Sequence, residues 1–131
     1  MSGINITPTV FKSAFLSPTA AGDSAAWTPA AGKKFRVLRV IFEFPYSNNA
    51  PGGKLFSVTL KDGAALLSGF KSTIWVPATV QLILGAYVID REFGNGVLSA
   101  AADNVLSLTV DGSLNQDANC GFRVIIMGTE E

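Results

Sequence analysis

Lys54-Leu-Phe-Ser-Val-Thr-Leu-Lys61-Asp62-Gly63-Ala64-Ala-Leu-Leu67 is the stretch on which the fold turns. Leu55, Ser57, Thr59 and Lys61 alternate with Phe56, Val58 and Leu60, the period of two that puts one set on each face of a strand. Asp62-Gly63 follows at once, and a second apolar run begins at Ala64. Alternation, Asp-Gly and renewed apolar residues predict a β-hairpin, because glycine supplies the positive φ of a tight turn.

The same grammar extends both ways. Upstream, Pro45 to Gly53 reads as a loop, and Lys34 to Phe44 as a long strand. On that strand Leu38, Val40, Phe42 and Phe44 fall on one face, and Phe35, Val37 and Ile41 on the other, interrupted by Arg39 and Glu43. Val10 to Leu16 and Ser24 to Thr28 give two shorter strands, divided by a turn containing Pro18 and Gly22. Downstream, Phe70 to Val76 is a strand stopped by Pro77. Val80 to Ile89 fits a helical stripe or a strand, and its β-branched residues and Gly85 favour the strand. Asp90 to Gly96 reads as a loop, and 97–102 as a short strand or turn. Asn104 to Val110 and Cys120 to Met127 are the last two strands, the latter setting Phe122, Val124 and Ile126 against Arg123, Ile125 and Met127.

Eight to ten short strands, with turn signals every 8–12 residues or so, predict an all-β antiparallel sandwich with no substantial helix. A jelly-roll type is expected rather than an immunoglobulin type, whose Cys…Trp…Cys framework a chain with one cysteine lacks. Residues 1–9, with Pro8 and no helical period, read as an extended N-terminal arm, and 10–131 as a single sandwich domain. The N-terminus has no basic region before an apolar run and is not read as a signal peptide. The near-apolar run 80–89 is half of what a bilayer-spanning helix needs, so no membrane partner is expected.

Composition narrows the chemistry. The chain has no histidine, which removes a Ser-His-Asp triad and a Cys-His pair. Cys120 alone makes neither an internal disulfide nor a zinc site of the usual kind. Asp90 and Glu92 alternate onto one face and could form a carboxylate pair, but a charged strand end is the simpler reading. Asp90, Asp103 and Asp117 lack the spacing of a calcium loop. No enzyme activity, cofactor or metal is therefore expected. Ten basic and ten acidic residues cancel, and the cluster Lys33, Lys34, Arg36 and Arg39 reads as strand faces, so no nucleic-acid partner is expected either. Charged residues make up 15%, against roughly 25% in an average soluble domain, and a chain so poor in charge is suited to burying surface against neighbours.

Three stretches carry a family resemblance: 29–40 (PAAGKKFRVLRV), 58–64 (VTLKDGA), and the C-terminal run from Gly94-Asn-Gly-Val-Leu-Ser to Cys120-Gly-Phe-Arg-Val-Ile-Ile-Met-Gly-Thr-Glu-Glu131. In style and order they resemble the small all-β cement or decoration proteins of tailed-bacteriophage capsids. The resemblance implies a jelly-roll virion protein on the outer capsid surface, made in the host cytoplasm. It implies a homotrimer that binds the major capsid protein and stabilises contacts between coat subunits. Ile4 and Ile6 of the arm, Tyr46, Asn48 and Asn49 of the 45–53 loop, and Trp75 are the expected partner contacts. The alternative is a carbohydrate- or receptor-binding sandwich of a phage fibre or tail, resting on Tyr46, Asn48 and Asn49. A further expectation follows from strands 34–44 and 80–89: both are apolar on both faces, so the second face should meet other copies of the chain or a coat subunit.

Overall fold

A computed structural model describes residues 6–16, 23–44, 54–76, 87–112 and 122–131. It shows an all-β sandwich. The strands are β1 (Val10–Leu16), β2 (Asp23–Trp27), β3 (Phe35–Phe44), β4 (Lys54–Asp62), β5 (Ala65–Val76), β6 (Tyr87–Leu98), β7 (Leu106–Gly112) and β8 (Phe122–Glu130). Among the described residues there is no helix.

Two antiparallel four-stranded sheets form, in the orders β1-β8-β3-β6 and β2-β7-β4-β5. The pairs nest: β1 with β8, β2 with β7, β3 with β6, β4 with β5. The chain is thus a ribbon doubled back at the β4–β5 hairpin, where Gly63 has the positive φ of 61° that the Asp-Gly signal requires. Rolling the ribbon adds the β3·β8 and β4·β7 pairings and turns the inner faces together. Phe35, Val37, Val40, Phe42, Val124 and Ile126 of one sheet share a core with Trp27, Val58, Leu60, Leu67, Leu106 and Leu108 of the other.

The structure corrects the reading of 34–44 as apolar on both faces. The register of β3 shifts between Val37 and Arg39 against both its neighbours. This bulge at Leu38 resets the alternation, so Phe35 and Val37 join Val40 and Phe42 in the core. The other face then carries Arg36, Leu38, Arg39, Ile41 and Glu43. The 90–96 segment is also not a loop: it lies within β6, and Val37↔Val97 beside Arg39↔Glu92 leaves Phe93 to Gly96 as a wide bulge opposite Leu38. Gly96 sits there at φ 86°, and a Cβ on it would come within 2.7 Å of the Arg36 side chain and 2.8 Å of Leu38. The bulge folds over Leu38, which keeps only 7% of its exposure although it stands on the outer side. Of the 80–89 run, 80–86 lie outside the described residues.

One end of the sandwich is tied by polar contacts. Trp27 packs against Phe35 with ring centroids 5.6 Å apart, and its Nε1–H donates to Glu130 Oε1 at 2.9 Å. Buried Asp62 accepts from Ser99 Oγ (2.7 Å), Ala100 N (2.7 Å) and Asn104 Nδ2 (3.0 Å), fixing the β6–β7 connection to the hairpin. Asp103, at φ 65°, accepts from Gly32 N at 2.7 Å. Lys34 and Glu131 exchange backbone hydrogen bonds. These contacts join both sheets at the end holding the hairpin, so β1, β3, β5 and β7 finish, and β2, β4, β6 and β8 start, at the opposite end.

Candidate interaction face

The two outer faces of the sandwich differ in chemistry. On the β2-β7-β4-β5 sheet, register aligns Thr59 with Thr109 and Lys61 with Ser107, the latter beside Ala25. Ser57 precedes them on β4. These positions carry hydroxyls and the Lys61 ammonium, as expected of a sheet side that meets water, with one exposed apolar group beside them, Leu66, paired with Lys61 and 66% exposed.

The outer face of β1-β8-β3-β6 is built otherwise. One cross-strand row reads Phe11, Met127, Arg39, Glu92, the next Ser13, Ile125, Ile41, Asp90, and a third runs Arg123, Glu43, Val88. Phe11 is 63% exposed and Val88 59%, while Ile41, Ile125 and Met127 are half-buried. Apolar side chains thus cross the middle of the sheet. Phe11 and Val88 stand on the two edge strands, and half-buried Met127, Ile125 and Ile41 link them into one patch, the contiguous kind of apolar surface that marks a partner contact.

Charges border the patch. The Arg39 guanidinium holds Asp90 with two hydrogen bonds, Nε to Oδ1 at 2.8 Å and Nη2 to Oδ2, and Glu92 Oε1 lies 4.0 Å from its Nε. That hydrogen bonding draws the Asp90 carboxyl below its ordinary range and raises Arg39. Asp90 and Glu92 do share a face, as their alternation predicts, but with an arginine between them. A carboxylate held ionised by a guanidinium is poorly suited to donating a proton as a general acid. Arg36 joins Glu131 at 2.5 Å and the Asn95 carbonyl at 3.1 Å, clamping Glu131 and the β6 bulge to β3. Two of the four clustered basic residues, Arg36 and Arg39, are therefore engaged by carboxylates.

Among the described residues, no group of three His, Cys, Asp or Glu could hold a metal ion. Asp103 and Asp90 make the separate contacts given above, and Asp117 lies outside the described residues. Of the expected partner contacts, Ile6 is half-buried just before Thr9, whose N–H donates to the Gly128 carbonyl at 2.9 Å and prolongs the β1·β8 pairing. Ile4, Tyr46, Asn48 and Asn49 lie outside the described residues. Trp75 is on β5, paired with Leu55, and its side chain is outside the described set. The face that does emerge, through Phe11, Ile41, Val88, Ile125 and Met127, was not among those contacts. Its signal was present in the Arg123, Ile125, Met127 alternation of β8. No protein-family model matches the chain, and no curated protein does.

Proposed function

We propose that the chain is a non-enzymatic structural protein of a virion: a cement or decoration protein on the outer shell that stabilises contacts between major coat subunits as a homo-oligomer. The observation that carries the structural role is the inequality of the two outer faces. One sets Ser57, Thr59, Thr109 and Lys61 around a single described exposed leucine, Leu66. The other sets Phe11, Ile41, Ile125, Met127 and Val88 among paired charges and suits contact with protein. The nested strand order supports reading the sandwich as a jelly roll, with its two interlocked Greek keys. The lack of histidine supports a role without acid–base chemistry. The resemblance of stretches 29–40, 58–64 and 94–131 supplies the partner, a coat shell.

In this reading the apolar face joins copies to one another, and the N-terminal arm reaches a coat subunit by adding to a sheet edge. Co-sedimentation of the purified chain with expanded coat shells tests it. Saturable binding, weakened by removal of residues 1–5, is the expected result. A chain that stays in the supernatant at every shell concentration would overturn the shell assignment.

A further inference from the structure

We infer that the occupant of the β1-β8-β3-β6 face is a second copy of this chain, related by a two-fold axis that runs along the strands between β8 and β3. The inference rests on the homo-oligomeric part of the proposed function and names the surface and its symmetry. It comes from how the face maps onto itself. A two-fold in that position lays β8 of one copy over β3 of the other and keeps each cross-strand row in place. Ile125 then meets Ile41 of the second copy, the aliphatic stem of Arg39 lies over Met127, and at the row ends Phe11 lies over the stem of Glu92 and Ser13 over Asp90, because these pairs share rows. Arg123 and Glu43 also share a row, so each arginine meets a glutamate of the other copy. The four groups form a square of alternating sign. Turning the in-plane axis across the strands instead would stack Asp90 on Asp90, since the Ile125/Ile41/Asp90 row would map to itself.

A self-complementary patch of this kind is an isologous interface, which closes at two copies. A three-fold contact is heterologous and needs two different surfaces. This face therefore makes a pair, where the family resemblance implies a trimer. Its strength follows from its size. Four strands spaced about 4.8 Å apart, and about seven residues long at about 3.4 Å each, give a footprint of about 450 Å² per copy. About 900 Å² in total is below the roughly 1,200–2,000 Å² of stable specific complexes, so the pair should come apart on dilution.

The test uses charge reversal in the full-length chain. Sedimentation velocity of the unaltered protein should show a dimer at high concentration and monomer on dilution. Arg123→Glu alone gathers four carboxylates at the square, and Glu43→Arg alone gathers four guanidinium groups. Each should lose about tenfold or more in self-association, with circular dichroism confirming the fold. Mixed one to one, the two variants set the introduced glutamate of one chain against the introduced arginine of the other. The native Arg123 and Glu43 that remain meet in the same way, and the heterodimer should form. No contact within one chain predicts that recovery. Mixed variants that remain monomeric, or an unaltered protein that is a trimer or is monomeric throughout, would overturn the two-fold pair. Shell co-sedimentation is measured separately, so loss of the pair with retained shell binding refutes this inference and leaves the shell assignment standing.

Discussion

Gly128 on β8 has no side chain because two other parts of the chain occupy the place where one would be. A Cβ built there would overlap the Arg36 carbonyl oxygen of β3 and lie 2.8 and 2.9 Å from the Trp27 ring. The ring could shift by a few tenths of an ångström. The carbonyl belongs to the backbone of β3, which pairs with both β8 and β6 and carries much of the core, so it can move only with the sheet. Overpacking costs about 1–3 kcal/mol, occasionally more, and a clash with a central strand belongs at the upper end, about 3 kcal/mol. At about 2.1 cal/mol/K per residue, unfolding 131 residues carries about 0.28 kcal/mol/K, so Gly128→Ala should lower Tm by about 11 °C. Differential scanning calorimetry with urea denaturation measures both quantities. Gly94→Ala is the contrast: its Cβ meets nothing within 4 Å, and only the φ of 59° is strained, at about 1–2 kcal/mol. Pairing Gly128→Ala with Trp27→Leu removes the ring contact but not the carbonyl clash. Recovery of stability in that double variant, or a loss under about 1 kcal/mol in Gly128→Ala alone, would refute the reasoning.

Asp62→Ala leaves Ala100 N and Asn104 Nδ2 without their acceptor, while Ser99 Oγ keeps the Ala101 carbonyl at 2.9 Å; it should cost about 2–3 kcal/mol in urea denaturation, with faster amide exchange confined to residues 99–104 and the hairpin. Asp90 and Glu131 both have folded pKa values lowered by hydrogen bonding to Arg39 and Arg36. A lowered folded pKa gives stability that is present above the unfolded value and lost as pH falls through the folded one. Stability should therefore decline on acidification from about pH 4 downward, the range where free carboxyls begin to protonate. The decline should flatten in Asp90→Asn and Glu131→Gln, and fade in high salt because both pairs are exposed. Phe42→Ala empties a fully buried position between β6 and β8 and should cost about 3–5 kcal/mol by the same denaturation assay.

Much of the architecture could be read locally. Val10 to Leu16, the Asp62-Gly63 hairpin and the Trp27 strand all follow from period-two alternation and turn chemistry over a few residues. What escaped was non-local. A bulge at Leu38 has no residue signature of its own; it exists because β3 must keep register with β8 while β6 swells around Phe93 to Gly96. Read without it, β3 shows two apolar faces; read with it, one apolar face and one mixed with charge. Gly94 and Gly96 look alike in a loop and in a bulge, since both need positive φ. The interaction face is a product of the same pairing. Ile125 and Met127 show their alternation in sequence, but only the β8·β3 register sets them beside Ile41 and Arg39, and only the β1·β8 register adds Phe11. Reading for aromatics in loops led instead to Tyr46, Asn48 and Asn49, which lie outside the described residues.

In the proposed reading one outer face is covered by a partner, and the other, Leu66 apart, meets water. Matched substitutions test it: Ile125→Asp on the first and Thr59→Asp on the second, each placing one carboxylate at a half-buried mid-strand position. Sedimentation equilibrium of both folded variants beside the unaltered chain reads the outcome. The account predicts that Ile125→Asp abolishes self-association and Thr59→Asp leaves it unchanged. Equal effects from the two substitutions, or loss only with Thr59→Asp, would contradict it.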